Sequence, residues 1–385
     1  MITKLLVRHG HWVFGAAMIA TLGLIFTAMR LPAGWLIAGM LGAATSAIVF
    51  RRRLDPPAKA MSAAQGVIGV IAVEPLTKLT GSDLVHFAGN AAFSVTTTLG
   101  LSIVLGIMLF RVAPDLGMAT ANLSQIAGGA STVSSMAREL GADERYVALS
   151  QYLRLVIVVL SMPVVLPHLG AADPARDLAT SPAAWHWTGL LLFVAIIYAG
   201  GRLGRLARIP APFLLGPLAI AAVLAVADPR LAVLMNPNAM VTGVAYVVIG
   251  WQAGGGFAVD VLRRFIRLIP LTLTFVALTI GSCFGIAVVV SHWADVSLAD
   301  AYLATTPGGI YGVLAIANEV HAGPIVVTLQ VLRLVAMLLA AGLIPKIIEW
   351  LSRRQNAAHP LTGPAGGLST ATNSCSGRPV VPYRS

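Results

Sequence analysis

Charge is scarce in this chain. Of 385 residues only 11% are Asp, Glu, Lys or Arg, while 57% are hydrophobic. Soluble domains carry about 25% charged residues, so an ordinary soluble globule is excluded. Cysteine is scarcer still. The two present, Cys283 inside an apolar run and Cys375 near the C-terminus, have no CxxC spacing and cannot build a disulfide framework. The eight histidines contain no HExxH, and GxSxG, a Walker loop and GxGxxG after a strand are all missing. The common hydrolase, zinc-protease and nucleotide-binding chemistries therefore lack their residues. No metal site, no cofactor and no enzymatic activity are expected.

What the chain has in abundance is apolar length. The mean hydropathy is +0.84. Apolar runs of about 18 residues or more recur between the N-terminus and about residue 348, each sufficient to cross a hydrocarbon core of roughly 30 Å. The net charge of +11 does not describe a nucleic-acid surface, because the basic residues punctuate the ends of apolar runs, where the positive-inside rule puts them. The first run, after Lys4 and Arg8, lacks a small-x-small cleavage site and enters Arg30-Leu31-Pro32 directly, so it reads as a retained span rather than a signal peptide. Beyond Arg354 the chain turns rich in Pro, Gly, Ser, Thr and Asn, and disorder is expected there.

The chain is also duplicated. Ser124-Gln125-Ile126-Ala127-Gly128-Gly129-Ala130-Ser131-Thr132 is followed by an apolar run holding Gln151 and Arg154. About 180 residues later, Thr305-Thr306-Pro307-Gly308-Gly309-Ile310-Tyr311-Gly312 is followed by another holding Gln330 and Arg333. The second spans open alike, Leu31-Pro32-Ala33-Gly34-Trp35-Leu36 against Ile209-Pro210-Ala211-Pro212-Phe213-Leu214. The third share a glycine rhythm, Gln65 and Gly69 against Tyr246 and Gly250. Spans are predicted near 11–29, 32–50, 60–78, 87–110 and 146–168, then near 185–201, 209–227, 240–261, 268–291 and 324–347. The Gly-Gly segments fall at 117–139 and 297–319.

Basic residues decide how the halves are oriented. If each Gly-Gly segment enters the membrane and returns, each half has five crossings and the second half is inverted. Arg51, Arg52, Arg53, Lys59, Arg111, Arg138, Arg145, Arg202, Arg205, Arg208, Arg263, Arg264 and Arg267 then share the cytoplasmic side, and the other side keeps Arg30, Lys78, Arg176 and Arg230. If the segments cross, Arg202 to Arg208 and Arg263 to Arg267 move outside, against the positive-inside rule. The expected fold is therefore an all-α polytopic membrane protein of two inverted repeats, each with five transmembrane helices and a re-entrant helical hairpin. A hairpin arm of about ten residues reaches about 15 Å, near the midplane.

Inverted repeats with broken helices at the midplane are the architecture of secondary transporters. The candidate solute-binding residues are Ser124, Gln125, Gly128, Gly129, Ser131, Thr132, Thr305, Thr306, Gly308, Gly309 and Tyr311 at the tips, with Gln151, Arg154, Gln330 and Arg333 behind them. Amides at the start of each returning arm would form an anion-receptive helix end. The bland alternative is that small residues simply let helices pack closely. A guanidinium inside a span costs several kcal/mol and usually faces a cavity or a partner. Arg154 and Arg333 are thus either anion-binding or gating charges, or structural partners of Glu139 and Glu319, which occupy equivalent positions. Glu74 reads as half of an ordinary helix pair with Lys78 rather than a proton site, and Asp260 with Arg263 and Arg264 as an interfacial cluster.

The Pro-Ala-x-x-Leu span openings, the Gly-Gly segments and the stretch from Glu139-Leu140-Gly141-Ala142-Asp143 to Gln151-x-x-Arg154 resemble the AbrB-duplication family of bacterial membrane proteins, over about residues 11–350. Members carry labels as regulators of gene expression or as ammonia monooxygenases. This sequence has neither a small DNA-binding domain nor copper ligands for those chemistries. The architecture is also similar to transporters of the 2-hydroxycarboxylate and glutamate:sodium types, although the glycine pattern departs from theirs. A third glycine is missing from the first copy, and Gly312 falls one place late in the second.

The expected organisation is a first membrane repeat at 1–169, a linker at 170–184, an inverted second repeat at 185–350, and a disordered cytoplasmic tail at 351–385. The expected function is secondary transport of a small anionic or polar organic solute by alternating access, the alternative being a membrane-embedded regulator or sensor without its own DNA-binding domain. A proton and a sodium ion are the candidate coupling ions. Expected partners are the lipid bilayer and a small-molecule solute, with a homodimer allowed and no nucleic acid. The expected location is the bacterial inner membrane, with both termini cytoplasmic.

Overall fold

The computed structural model describes residues 2–78, 81–128, 130–171, 187–256 and 259–340. Gly129, the expected linker beyond Ala171 and the expected tail lie outside the described residues, and for Ser131 and Thr132 the backbone alone is described. Among the described residues the chain is all-helical, without a strand. The first half comprises α1 (Ile2–Ala28), α2 (Gly34–Phe50), α3 (Ala58–Ile71), α4 (Gly81–Val112), α5 (Met118–Gln125), α6 (Ala130–Glu139) and α7 (Glu144–His168). The second comprises α8 (Trp187–Leu206), α9 (Pro212–Ala227), α10 (Pro229–Met235), α11 (Ala239–Gly255), α12 (Val259–Arg264), α13 (Ile269–Ala294), α14 (Leu298–Thr305) and α15 (Ile310–Glu319), then α16 (Pro324–Ala340).

Six of these elements are long and apolar enough to cross a membrane, within α1, α3 and its extension, α4, α7, α8 and α13. The shorter apolar helices α2, α9, α11 and α16 accompany them. The surface is that of a chain solvated by lipid. Leu206 and Val226 are 83% and 81% exposed, whereas Arg154 and Arg333 are each 4% exposed. In water such an apolar exterior would drive association.

Breaks between helices repeat from half to half. Arg30 and Ala33 take φ 55° and 54°, and Arg208 and Ala211 take φ 53° and 47°, values that non-glycine residues rarely adopt. Each pair brackets a proline, which fixes its own φ and disfavours helix at the residue before it. The preceding helix ends each time with a six-to-one bond, Leu31 N to Phe26 O and Ile209 N to Gly204 O, which satisfies a carbonyl the helix leaves open.

The halves interlock. α2 of the first half packs on α11 of the second, and α3 on α9. A Cβ at Gly250 would lie 2.0 Å from the Leu36 carbonyl oxygen, and one at Gly69 would lie 2.5 Å from that of Leu214. Glycine is needed at both crossings, because in lipid close backbone approach supplies the dispersion energy that water exclusion supplies elsewhere. One bundle thus joins α1, α2 and α3 with α8, α9 and α11. In the other, α4 packs on α5 and α13, α13 on α14, and α5 and α6 on α7. α15 lies on the seam, touching α3 and α11 of the first bundle and α7 of the second.

Candidate functional site

Each Gly-Gly segment folds as two short helices around a non-helical tip. The first arms, α5 and α14, are 8 residues each, and the returning arms, α6 and α15, are 10 each. After the first arm the chain turns extended, at Ile126 (ψ 127°) and Thr306 (ψ 132°). Pro307 then bars continuation of α14. Gly309 opens α15 at φ 83°, a region in which glycine carries no steric penalty. The far ends of the two arms meet. The Asp143 amide donates to Thr120 Oγ1, and the Gly323 amide donates to Asp300 Oδ1, both at 3.0 Å. These pairs are equivalent in the two halves.

A helix leaves its last four carbonyls without partners, and in a dry interior each must find a donor. Here Gln and Arg, one turn apart on the next helix, supply them. Gln151 Nε2 donates to Leu123 O at 3.2 Å, Ser124 O at 3.3 Å and Ile126 O at 2.7 Å. Arg154 donates to Gln125 O at 3.1 Å and Ile126 O at 3.3 Å. In the second half Gln330 Nε2 donates to Leu303 O at 2.6 Å and Thr306 O at 3.3 Å. Arg333 donates to Thr305 O at 2.6 Å, Thr306 O at 2.7 Å and Gln330 Oε1 at 2.7 Å. The guanidinium also places positive charge at the negative end of the arm's dipole. The alternative pairing of these arginines with Glu139 and Glu319 is not what forms. The carbonyls at the tips are nearer to the guanidiniums than the carboxylates at the feet, and they are the groups left without donors.

The tip hydroxyls are turned inward. Ser124 Oγ donates to Ala121 O, Thr305 Oγ1 to Ala301 O, and Thr306 Oγ1 to Tyr302 O, at 2.7, 2.9 and 2.6 Å. Gln125 contributes its amide oxygen, which accepts from Thr279 Oγ1 of α13 at 3.4 Å. Each tip also leans on a helix of the opposite half. A Cβ at Gly308 would lie 2.4 Å from Val158 Cγ1 of α7, and one at Gly128 would lie 3.2 Å from Leu338 Cδ2 of α16.

Gly128 from one tip and Gly309, Ile310, Tyr311 and Gly312 from the other meet on a narrow cavity of about 60 Å³, walled further by α2, α7, α11 and α16. One water needs at least about 10–15 Å³ of such space, so the cavity can hold a few waters. The polar residues of the wall are Tyr152, Gln252 and Tyr311. Tyr152 and Gln252 escaped sequence reasoning. One turn-based signal was available, since Tyr152 follows Gln151 directly, but nothing local links Gln252 to a tip about 60 residues away. Arg154, Arg333, Gln151 and Gln330 stand behind the tips rather than in the cavity wall.

At the foot of α15, the Glu319 carboxylate accepts the Ala33 amide at the start of α2. Burial pushes this carboxyl up to about 7, a rise that the Ala33 bond partly opposes. Beside it, Tyr246 donates to Ala315 O at 3.0 Å and accepts from Asn318 Nδ2 at 3.2 Å. Glu139, the counterpart at the foot of α6, is exposed. Glu74 is exposed too, with Asn236 as its neighbour at 3.5 Å.

Residues 35–352 match the family described as "Transition state regulatory protein AbrB". A relative from Escherichia coli (strain K12), named "Putative regulator AbrB", is 30% identical over 357 residues, covering 90% of this chain and 99% of the relative. Another from Bacillus subtilis (strain 168), named "Uncharacterized protein YhjN", is 27% identical over 355 residues, covering 84% of this chain and 89% of its own length.

Proposed function

The chain belongs to the AbrB family, and from that premise we propose that it is a secondary transporter of a small anionic or polar organic solute. In this reading the halves are inverted repeats of five spans, and each helix–tip–helix segment is a re-entrant hairpin. One observation carries the proposal. A tip from each half meets the other at a cavity on the seam between two bundles, which is where transporters of this general design hold their cargo. The bonds that join each hairpin's far ends support entry and return on one side of the membrane.

The chemistry follows from what each group is already doing. The two arginines are committed to carbonyls, so they hold the tips and lend them positive potential rather than gripping cargo directly. Of the groups at the cavity, those suited to receive an anionic or polar solute are the amides opening α6 and α15, with Tyr311 and Gln252. As it stands the cavity has room for only a few waters. Movement of one bundle against the other then opens it to each side in turn, with no catalytic step. The membrane is the bacterial inner membrane and the N-terminus is cytoplasmic. The name "regulator" belongs to the Escherichia coli relative, and in this reading a regulatory effect would follow from the solute moved.

The test is uptake into proteoliposomes across a panel of small organic acids, with and without sodium and proton gradients. Flux of at least one acid is expected, and Arg333→Ala and Gly309→Leu should abolish it while the protein still inserts. Undiminished flux in both variants would remove the site. Cysteine probes placed at Asp295 and at Arg205 check the topology: the first should react only from outside and the second only from the cytoplasm.

A further inference from the structure

The two halves agree closely at their tips and differ sharply at their feet. Ala33 and Ala211 occupy the same place, each the first residue of its helix start, each with φ near 50° (54° and 47°). Glu319 and Glu139 likewise end the returning arms of the two hairpins. Yet Glu319 sits on the Ala33 amide, joining α15 of the seam to α2, while Glu139 is exposed to solvent. Both halves carry the acceptor and the helix start, but the arms that bear the acceptor differ in polarity: α6 has Ser134, Ser135 and Arg138 where α15 has Leu314, Ala315 and Asn318. Their neighbours differ in the same sense. Asn318 is bonded to Tyr246 of the opposing bundle at 3.2 Å, whereas Arg138, its counterpart, is turned outward to Glu144 at 2.6 Å.

We propose that Glu319 with Ala33, and Glu139 with Ala211, are two latches that close alternately. The structure holds the first closed and the second open. The opposite conformation would seat Glu139 on the Ala211 amide and release Glu319. This deepens the transporter reading and rests on it for its purpose: in an inverted duplication, the two conformations of a cycle exchange the environments of equivalent residues. It also assigns a direction to the present state. By the distribution of basic residues, the foot with Glu319 belongs to the outer face and the foot with Glu139 to the cytoplasmic face, so the latch that is shut is the external one.

Pulsed electron resonance between spin labels at Arg138 and Arg208, both exposed, reads the cytoplasmic feet without touching either latch. The full-length chain is used in lipid nanodiscs. Glu319→Ala should create a population with a shorter 138–208 separation than wild type, because the closed latch is lost and the opposite one can form. Glu319→Gln, whose amide oxygen can still accept the Ala33 amide, should keep the wild-type distribution. The double variant Glu319→Ala, Glu139→Ala should lose the short population. An unchanged distribution in Glu319→Ala, or a short population that survives in the double variant, overturns the proposal. Should Glu319→Ala fail to insert, Glu319→Asp, one methylene too short to reach Ala33, serves in its place with the same expectation. Solute flux measured on the same preparations separates the two ideas. Alternation without flux leaves the latches standing and sinks the transporter reading, and flux without alternation does the reverse.

Discussion

Replacing Arg333 by leucine tests whether the buried guanidinium is there to hold a helix end. In the wild type it donates to Thr305 O at 2.6 Å, and to Thr306 O and Gln330 Oε1 at 2.7 Å each. Leucine removes all three bonds. Thr306 O keeps a longer bond from Gln330 at 3.3 Å, so the Thr305 carbonyl bears the main loss. A buried acceptor left without a partner costs about 1–3 kcal/mol. Removing the buried charge recovers part of any such cost, and a net destabilisation of about 2 kcal/mol is expected at the tip. That corresponds to a roughly 30-fold rise in tip opening, at about 1.4 kcal/mol per factor of ten. Amide hydrogen exchange in nanodiscs reads this directly, because local opening sets exchange at the tip. Exchange across 301–312 should quicken by about that factor, while 121–133 stays near wild type. Arg154→Leu should give the mirror pattern. Exchange within about twofold of wild type at both tips would refute the capping role. An equal loss at both tips would show a global effect instead of a local one.

Gly308→Ala should lower the melting temperature through overpacking, since its Cβ would fall 2.4 Å from Val158 Cγ1; the cost is about 1–3 kcal/mol, and co-substitution of Val158→Ala should recover most of it. A second expectation concerns pH. Burial holds Glu319 at about 7 while it is latched, above the ordinary carboxylate range near 4.3 that it regains when open. Protonation therefore favours the latched form, an effect fully present below the ordinary range and lost as pH rises through about 7, with a ceiling on the order of 3 kcal/mol. Protection of 310–319 against exchange, corrected for intrinsic rate, should fall between about pH 5 and pH 8 and become flat in Glu319→Gln. The other groups near this end are Tyr246 of α11, His321 two residues on, and Arg30 in the turn before Ala33. A dependence that survives Glu319→Gln would refute the assignment to Glu319.

Much of this protein could be read from the order of its residues. Apolar length and the placement of arginines locate the spans, because partition into lipid is a property of each segment taken alone. The breaks were equally legible: Pro32 and Pro210 mark the starts of α2 and α9, and Gly128 and Gly308 fall at the tips, since backbone restrictions act within a few residues. The repeat about 180 residues apart identified Gln151, Arg154, Gln330 and Arg333 as a set. Two short helices, α10 and α12, were missed, being too brief for a periodic pattern to register.

What those four residues do was decided only by tertiary structure. Position alone offered each arginine a solute or a carboxylate, and the carbonyls it actually meets came into view only with the acceptors that the folded hairpin brings within reach. The same holds for Tyr152 and Gln252 on the cavity wall, and for the contacts of Gly250 with Leu36 and Gly69 with Leu214, which join residues far apart in the chain. Sharpest of all is the contrast between Glu319 and Glu139. Two related hairpins carry the same acceptor and the same helix start, and only one pair is joined, because α15 packs on α3 and α11 while α6 packs on α5 and α7.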